Sequence, residues 1–204
     1  MRKIKKFRIP LYHYDIYRKA KKIKLDIDNS HFKGQEGLKE FVSVLYSHIE
    51  PCVVFDYIGS DSPLWMRLNL ESRQSGATLG LITFSSSFSE KVNTLTDELE
   101  KSSALLASHV ILNSAVSLVS DLAQEEAKND GFTLSRPYFI HVWDKDKMDS
   151  CVEKEFLLDF EEDFIKELLI RMEAEKNAIT FENGSLSPKY SALFLVPWFS
   201  RKKK

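Results

Sequence analysis

Apolar positions along the chain change period several times, and each change predicts an element. Leu38, Phe41, Val42, Leu45 and Ile49 fall at i, i+3, i+4, i+7 and i+11, one face of a helix that Glu50-Pro51 ends. Residues 52–58 are apolar and β-branched, as a strand requires, and Gly59-Ser60-Asp61-Ser62-Pro63 reads as a turn. Leu64, Met66, Leu68 and Leu70 alternate with Trp65, Arg67, Asn69 and Glu71, the period of a half-buried strand. Residues 77–84 are almost continuously apolar, which predicts a central strand.

A helical period follows. Ser87 and Glu90 have the spacing of a capping box, so a helix is expected to start there, with Phe88, Val92, Leu95 and Leu99 as its stripe. Exposed amides at such a start can also hold an anion. A long helix over residues 103–129 turns Leu105, Leu112, Val116, Val119 and Ala123 inward and stops at Gly131. Further on, Phe156, Phe160, Phe164, Leu168 and Met172 predict the core stripe of an acidic helix. Residues 178–181 read as a strand, Asn183-Gly184 as a turn, and residues 191–196 as a last strand. At the other end, residues 6–9 read as a strand and Pro10 as the first turn of a helix over residues 11–20.

This mixture of periods predicts an α+β fold. At 204 residues, with 43% hydrophobic and 29% charged positions, the chain is expected to form one domain spanning 1–204. Charge is uneven although the net value is −1: residues 1–24 hold ten Lys or Arg against Asp15, and residues 144–176 hold twelve acids against six bases. The first 24 residues are expected to pack on the body as a basic strand and helix, and residues 201–204 form a basic tail. A near-neutral total argues against nucleic acid as the partner. No run of about 20 apolar residues is evident, so no membrane span is expected. Two cysteines in no metal or redox spacing suit a reducing, cytoplasmic setting.

Candidate chemistry concentrates after Gly131. Residues 136–144 gather Arg136, Tyr138, His141 and Asp144, so a ligand is expected there. His109, on an apolar helix face, reads as a satisfied core residue. The chain carries no Gly-rich phosphate loop, zinc spacing or nucleophile elbow, and no autonomous catalyst is expected.

The order of these features resembles the activation (reactivation) domain of cobalamin-dependent methionine synthase, especially its stand-alone versions. A basic strand leads to Ile9-Pro10, and an amphipathic helix ends in Glu50-Pro51. An apolar strand turns at Ser85, and a long helix closes with Gln124-Glu125-Glu126-Ala127-Lys128-Asn129-Asp130-Gly131-Phe132. The resemblance covers roughly Ile4 to Pro197. It implies a bent, mainly antiparallel sheet flanked by helices. It also implies binding of S-adenosylmethionine beside a cobalamin carried by a partner, in support of reductive methylation of that corrinoid.

The family's Arg-x-x-x-Gly-Tyr corresponds to the stretch from Arg136, where Ile140-His141 or His141-Val142 stands in place of Gly-Tyr. Its Pro-x-x-Ser corresponds to Pro188-Lys189-Tyr190-Ser191. By that resemblance Arg136, Tyr138, His141, Asp144 and Tyr190 line the ligand site, with Arg136 holding the methionine carboxylate. The implied partners are a corrinoid-binding protein or methionine synthase fragment and an electron-donor protein. A different reading of the same scaffold is a non-catalytic interaction protein with a degenerate pocket; another is a phosphate or nucleic-acid binder centred on residues 2–24.

Overall fold

The computed structural model describes residues 1–68, 74–144 and 156–200. In chain order it runs β1 (Arg2–Lys5), α1 (His13–Lys22), α2 (Gln35–Tyr46), β2 (Cys52–Gly59), α3 (Pro63–Leu68) and β3 (Gln74–Thr83). Then come α4 (Ser86–Asn93), α5 (Glu98–Asn129), β4 (Phe132–Leu134), β5 (Tyr138–His141) and α6 (Glu162–Arg171). It closes with β6 (Thr180–Glu182), β7 (Ser185–Ser187) and β8 (Ser191–Ser200).

The class is mixed α and β, with a curled antiparallel sheet and six α-helices among the described residues. The sheet order is β1-β2-β3-β8-β4, and β5 pairs with β8 beside β4. β8 therefore takes β3 along one edge and two short strands in succession along the other, β4 opposite residues 198–200 and β5 opposite residues 193–195. β6 and β7 form a separate hairpin.

Helices cover both faces of the sheet, which is why β3 and β8 read as continuous apolar runs. Ala192, Phe194 and Val196 of β8 pack with Ile82 and Phe84 against Ile111, Leu112 and Val116 of α5. The alternate residues Leu193 and Leu195 pack with Leu79 and Leu81 against Phe164, Leu168 and Leu169 of α6. A third cluster joins α1, α2 and the outer side of α5 through Ile16, Leu38, Val42 and Leu106. Gly80 faces Phe194 across the β3–β8 ladder, and a Cβ at Gly80 would lie 2.2 Å from that ring. The glycine is what lets the phenylalanine lie flat over the sheet.

Several boundaries differ from expectation, each for a local reason. The first strand is Arg2–Lys5, because Lys6 has φ 53° and its N–H donates to the Pro51 oxygen at 2.8 Å. Helix α1 starts at His13, with Tyr12 at its cap. Residues 64–68, expected in a strand, are helical: Leu64 and Leu68 are four apart as well as even-numbered, so one helical face buries both and leaves Met66 74% exposed. Leu70 lies outside the described residues, as does most of the charged loop after Asp144.

The expected Ser87–Glu90 capping box is not the start of α4, whose cap is Ser85. α5 begins earlier than expected because Asp97 accepts from the Glu100 N–H at 2.9 Å. α6 begins at Glu162, after Phe156 and Phe160, although Phe160 still packs edge-on against Phe164. Ala178 is left-handed, so β6 begins at Thr180. α5 is also long and apolar enough to cross a membrane by length and composition, contrary to the sequence reading. However, 67% of its apolar window is buried in the fold, as suits a core helix.

Candidate functional site

The face of α5 carrying Glu98, Lys101, Ser102, Leu105, Leu106 and His109 repeats every three or four residues and forms one wall of a pocket of about 630 Å³. Val92, Asn93 and Leu95 at the end of α4 form a second wall, and Ile23 and Leu25 after α1 form the lip. The remaining side is Asp144, just after β5, and Lys189 and Tyr190, just before β8. Segments far apart in sequence meet here because β5 and β8 are neighbours in the sheet and α5 crosses over them.

His109 is 1% exposed, and its Nε2–H donates to the main-chain oxygen of Trp143 at 3.2 Å. That bond fixes the tautomer and leaves Nδ1 with the lone pair. Burial pushes its pKa down to about 4, against the smaller upward pull of the Trp143 carbonyl and Asp144. The imidazole is therefore neutral at physiological pH. Trp143 stacks on it and donates from Nε1 to Ser108 Oγ at 3.2 Å, while Ser108 donates to the Leu105 oxygen at 2.7 Å.

Tyr190 packs edge-on against Trp143 and Phe88. Burial, with Asp144 adding to it, pushes its hydroxyl up to about 12, so it too stays neutral. Charge at this site comes instead from Asp144, 3.5 Å from Lys189 Nζ, and from Glu98 paired with Lys101 at 2.6 Å. The pocket thus joins an aromatic floor and aliphatic walls to two carboxylates and two ammonium groups. Such a lining suits binding and orienting a small amphipathic zwitterion.

Of the five expected site residues, Asp144 and Tyr190 come together in this pocket. The other three lie apart from it. The Arg136 guanidinium lies over the Phe156 ring at 5.7 Å, and Tyr138 packs on the same ring at 5.4 Å. His141 packs edge-on against Phe181 of β6, while Ile140 beside it lies in the α6-side core. The structure also adds His109 and Lys189. His109 is the satisfied core residue the sequence suggests and is at the same time part of a pocket wall. Its periodicity with Ser102 and Leu105 was readable, but the cover supplied by Asp144 and Tyr190 was not. No group of three or more side chains suited to a metal ion occurs among the described residues.

No protein-family model matches this chain, and no curated protein is significantly similar to it.

Proposed function

We propose that this protein is a ligand-binding accessory to a corrinoid protein, as the resemblance to the methionine synthase activation domain implies, and that it takes S-adenosylmethionine in the pocket beside His109. The observation that carries this reading is the meeting of Asp144 and Tyr190. They come from the two segments the resemblance singles out, and they converge with His109 and Lys189 on one pocket of about 630 Å³. The mixed α and β architecture with a curled antiparallel sheet agrees with it.

The lining fits the chemistry of the ligand. Asp144 and Glu98 complement an ammonium and a sulfonium, and Lys189 and Lys101 complement a carboxylate. Tyr190, Leu105 and Leu106 offer surface to an aromatic base. The ion pairs at the rim are partly solvated, with Asp144 32% exposed, so exchanging them for pairs with a zwitterion costs little. In this role the chain's own residues bind and orient the methyl donor, while the cobalamin and the reducing protein belong to partners.

The test is the thermal unfolding midpoint with and without millimolar S-adenosylmethionine, since a ligand that binds the folded state raises it. Wild type and Arg136→Ala are expected to show the rise, and Asp144→Asn combined with Tyr190→Phe to lose it. Loss in Arg136→Ala alone would move the carboxylate contact to Arg136. No rise in wild type would remove the ligand and leave the interaction-protein reading.

A further inference from the structure

On the far side of the sheet from α5's pocket wall, the edge strand β1 brings a second cluster together. Lys3, Lys5 and Lys6 line a pocket of about 600 Å³ with Lys176, which arrives from the turn after α6. Glu50 is the carboxylate among the described lining residues, so four ammonium groups face one acid. A chain of net charge −1 has concentrated positive charge in one concavity.

Much of that charge is available. Lys3 and Lys5 have no carboxylate within ion-pair distance among the described residues. Lys6 to Glu50 is a long, exposed contact of 3.6 Å with side chains 75% and 63% exposed. Lys176 holds Glu173 at 2.7 Å, also on the surface. Exposed pairs of this kind contribute little and give way to a better anion. The neutral part of the lining is polar: the hydroxyls of Thr83, Ser85, Ser86 and Ser187 and the amide of Asn177. Cys52 at the base stays a thiol because burial raises its pKa more than Lys3 and Lys5 lower it, so it adds no negative charge.

We infer that this pocket binds a compact polyphosphate anion, a small molecule carrying two or more linked phosphates, between Lys3, Lys5 and Lys6 on one side and Lys176 on the other. The excess of three positive charges calls for more than one anionic group, and the concave shape favours a compact ligand over an extended strand. Other basic side chains of the N-terminal segment do not join it: Lys21 pairs with Asp28 at 2.9 Å and Arg18 with Asp15 at 3.3 Å. The inference is independent of the adenosylmethionine pocket, which shares none of these residues.

Calorimetric titration of the full chain with inorganic tripolyphosphate at about 50 mM salt tests it. One saturable site is expected, weakened roughly tenfold in Lys5→Ala and again in Lys176→Ala, as for loss of one charge-assisted contact each. The exposed Lys39→Ala on α2 serves as a control and is expected to leave the affinity unchanged. All three substituted lysines carry solvent-exposed side chains, and an unchanged unfolding midpoint without ligand confirms that each variant is folded. Absence of binding, equal weakening by Lys39→Ala, or tighter binding of single-stranded RNA that survives Lys5→Ala would overturn the inference.

Discussion

His109 of α5 and Trp143 of the loop after β5 hold each other twice: Nε2–H donates to the Trp143 oxygen at 3.2 Å, and the rings lie 19° from parallel with centroids 5.5 Å apart. The residue after Trp143 is Asp144, whose φ of 46° is unusual for a side-chain-bearing residue. Asp144 is therefore positioned by the long helix as much as by β5, which it follows. A change at position 109 thus alters the pocket wall twice, at His109 itself and through Trp143 at Asp144.

The buried imidazole makes the fold acid-sensitive. The folded-state pKa of His109 is about 4 and its ordinary value is 6.5, so above pH 6.5 it is neutral in both states and the stability is fully present. As pH falls from 6.5 toward 4 the unfolded state takes up a proton first, and about 3 kcal/mol is lost. Urea unfolding from pH 7 to pH 4 should show this loss in wild type and a smaller one in His109→Gln, with the His109 NMR resonance titrating near pH 4.

Alkali acts through the other ring of the floor. Tyr190 is pushed from 10 to about 12, so the unfolded chain ionises first and stability falls as pH rises through that interval. Tyr190→Phe should flatten the alkaline limb of the stability curve, as followed by urea unfolding from pH 9 to pH 12.

Trp143→Phe should keep most of the ring packing but leave the Ser108 hydroxyl without its indole donor, at a cost of about 1–2 kcal/mol in urea unfolding. Trp143→Ala should cost about 3–5 kcal/mol, because a 4% exposed ring in contact with Phe84, His109 and Tyr190 is removed. A Trp143→Phe variant as unstable as Trp143→Ala would contradict this assignment of roles.

Gly80→Val should destabilise the sheet by about 1–3 kcal/mol or more through collision with Phe194. Pairing it with Phe194→Leu should recover part of that loss, giving a non-additive double-mutant cycle. Strictly additive costs would show that the two positions do not meet.

Asp97→Ala should cost about 1 kcal/mol, since its carboxylate accepts the Glu100 N–H at the head of α5. Asp97→Asn or Asp97→Ser should restore most of it. Because Glu98 and Lys101 sit on the first turn, the same variant should also weaken any ligand of the adjoining pocket.

Long, uninterrupted patterns were legible in the chain. The stripe of α2, the core strands β2 and β3, the body of α5 and the start of β8 follow directly from their periods. Residues 64–68 were not, because two leucines four apart satisfy both a helical and an alternating pattern and Pro63 fits the start of a helix. β4 and β5 were hidden for another reason. Each is only three or four residues long, and each exists because β8 offers it an edge. Local sequence carries no record of that partner.

Asp144 stands out in the sequence at the end of the polar cluster after Gly131, whereas Tyr190 enters only through the family resemblance. Their company could not be read there, since Trp143 turns back under α5 to meet His109, 34 residues earlier. Arg136 and His141 show the opposite. They are near Asp144 in sequence, yet their aromatic neighbours are Phe156 and Phe181 respectively, because Arg136 precedes β5 and the β5–β8 register slips between Phe139 and His141.

The place of β8 between β3 and the β4–β5 pair also governs how the protein reaches its native state. Thr83 of β3 waits for Ser191, 108 residues further along, and closing a loop of that length costs about 4 kcal/mol of chain entropy before any ladder bond repays it. Until β8 docks, β3 presents an apolar, unpaired edge and β5 has nothing to pair with. Folding is thus slow by topology, and the interval before the final strand arrives is when the chain is most exposed to aggregation.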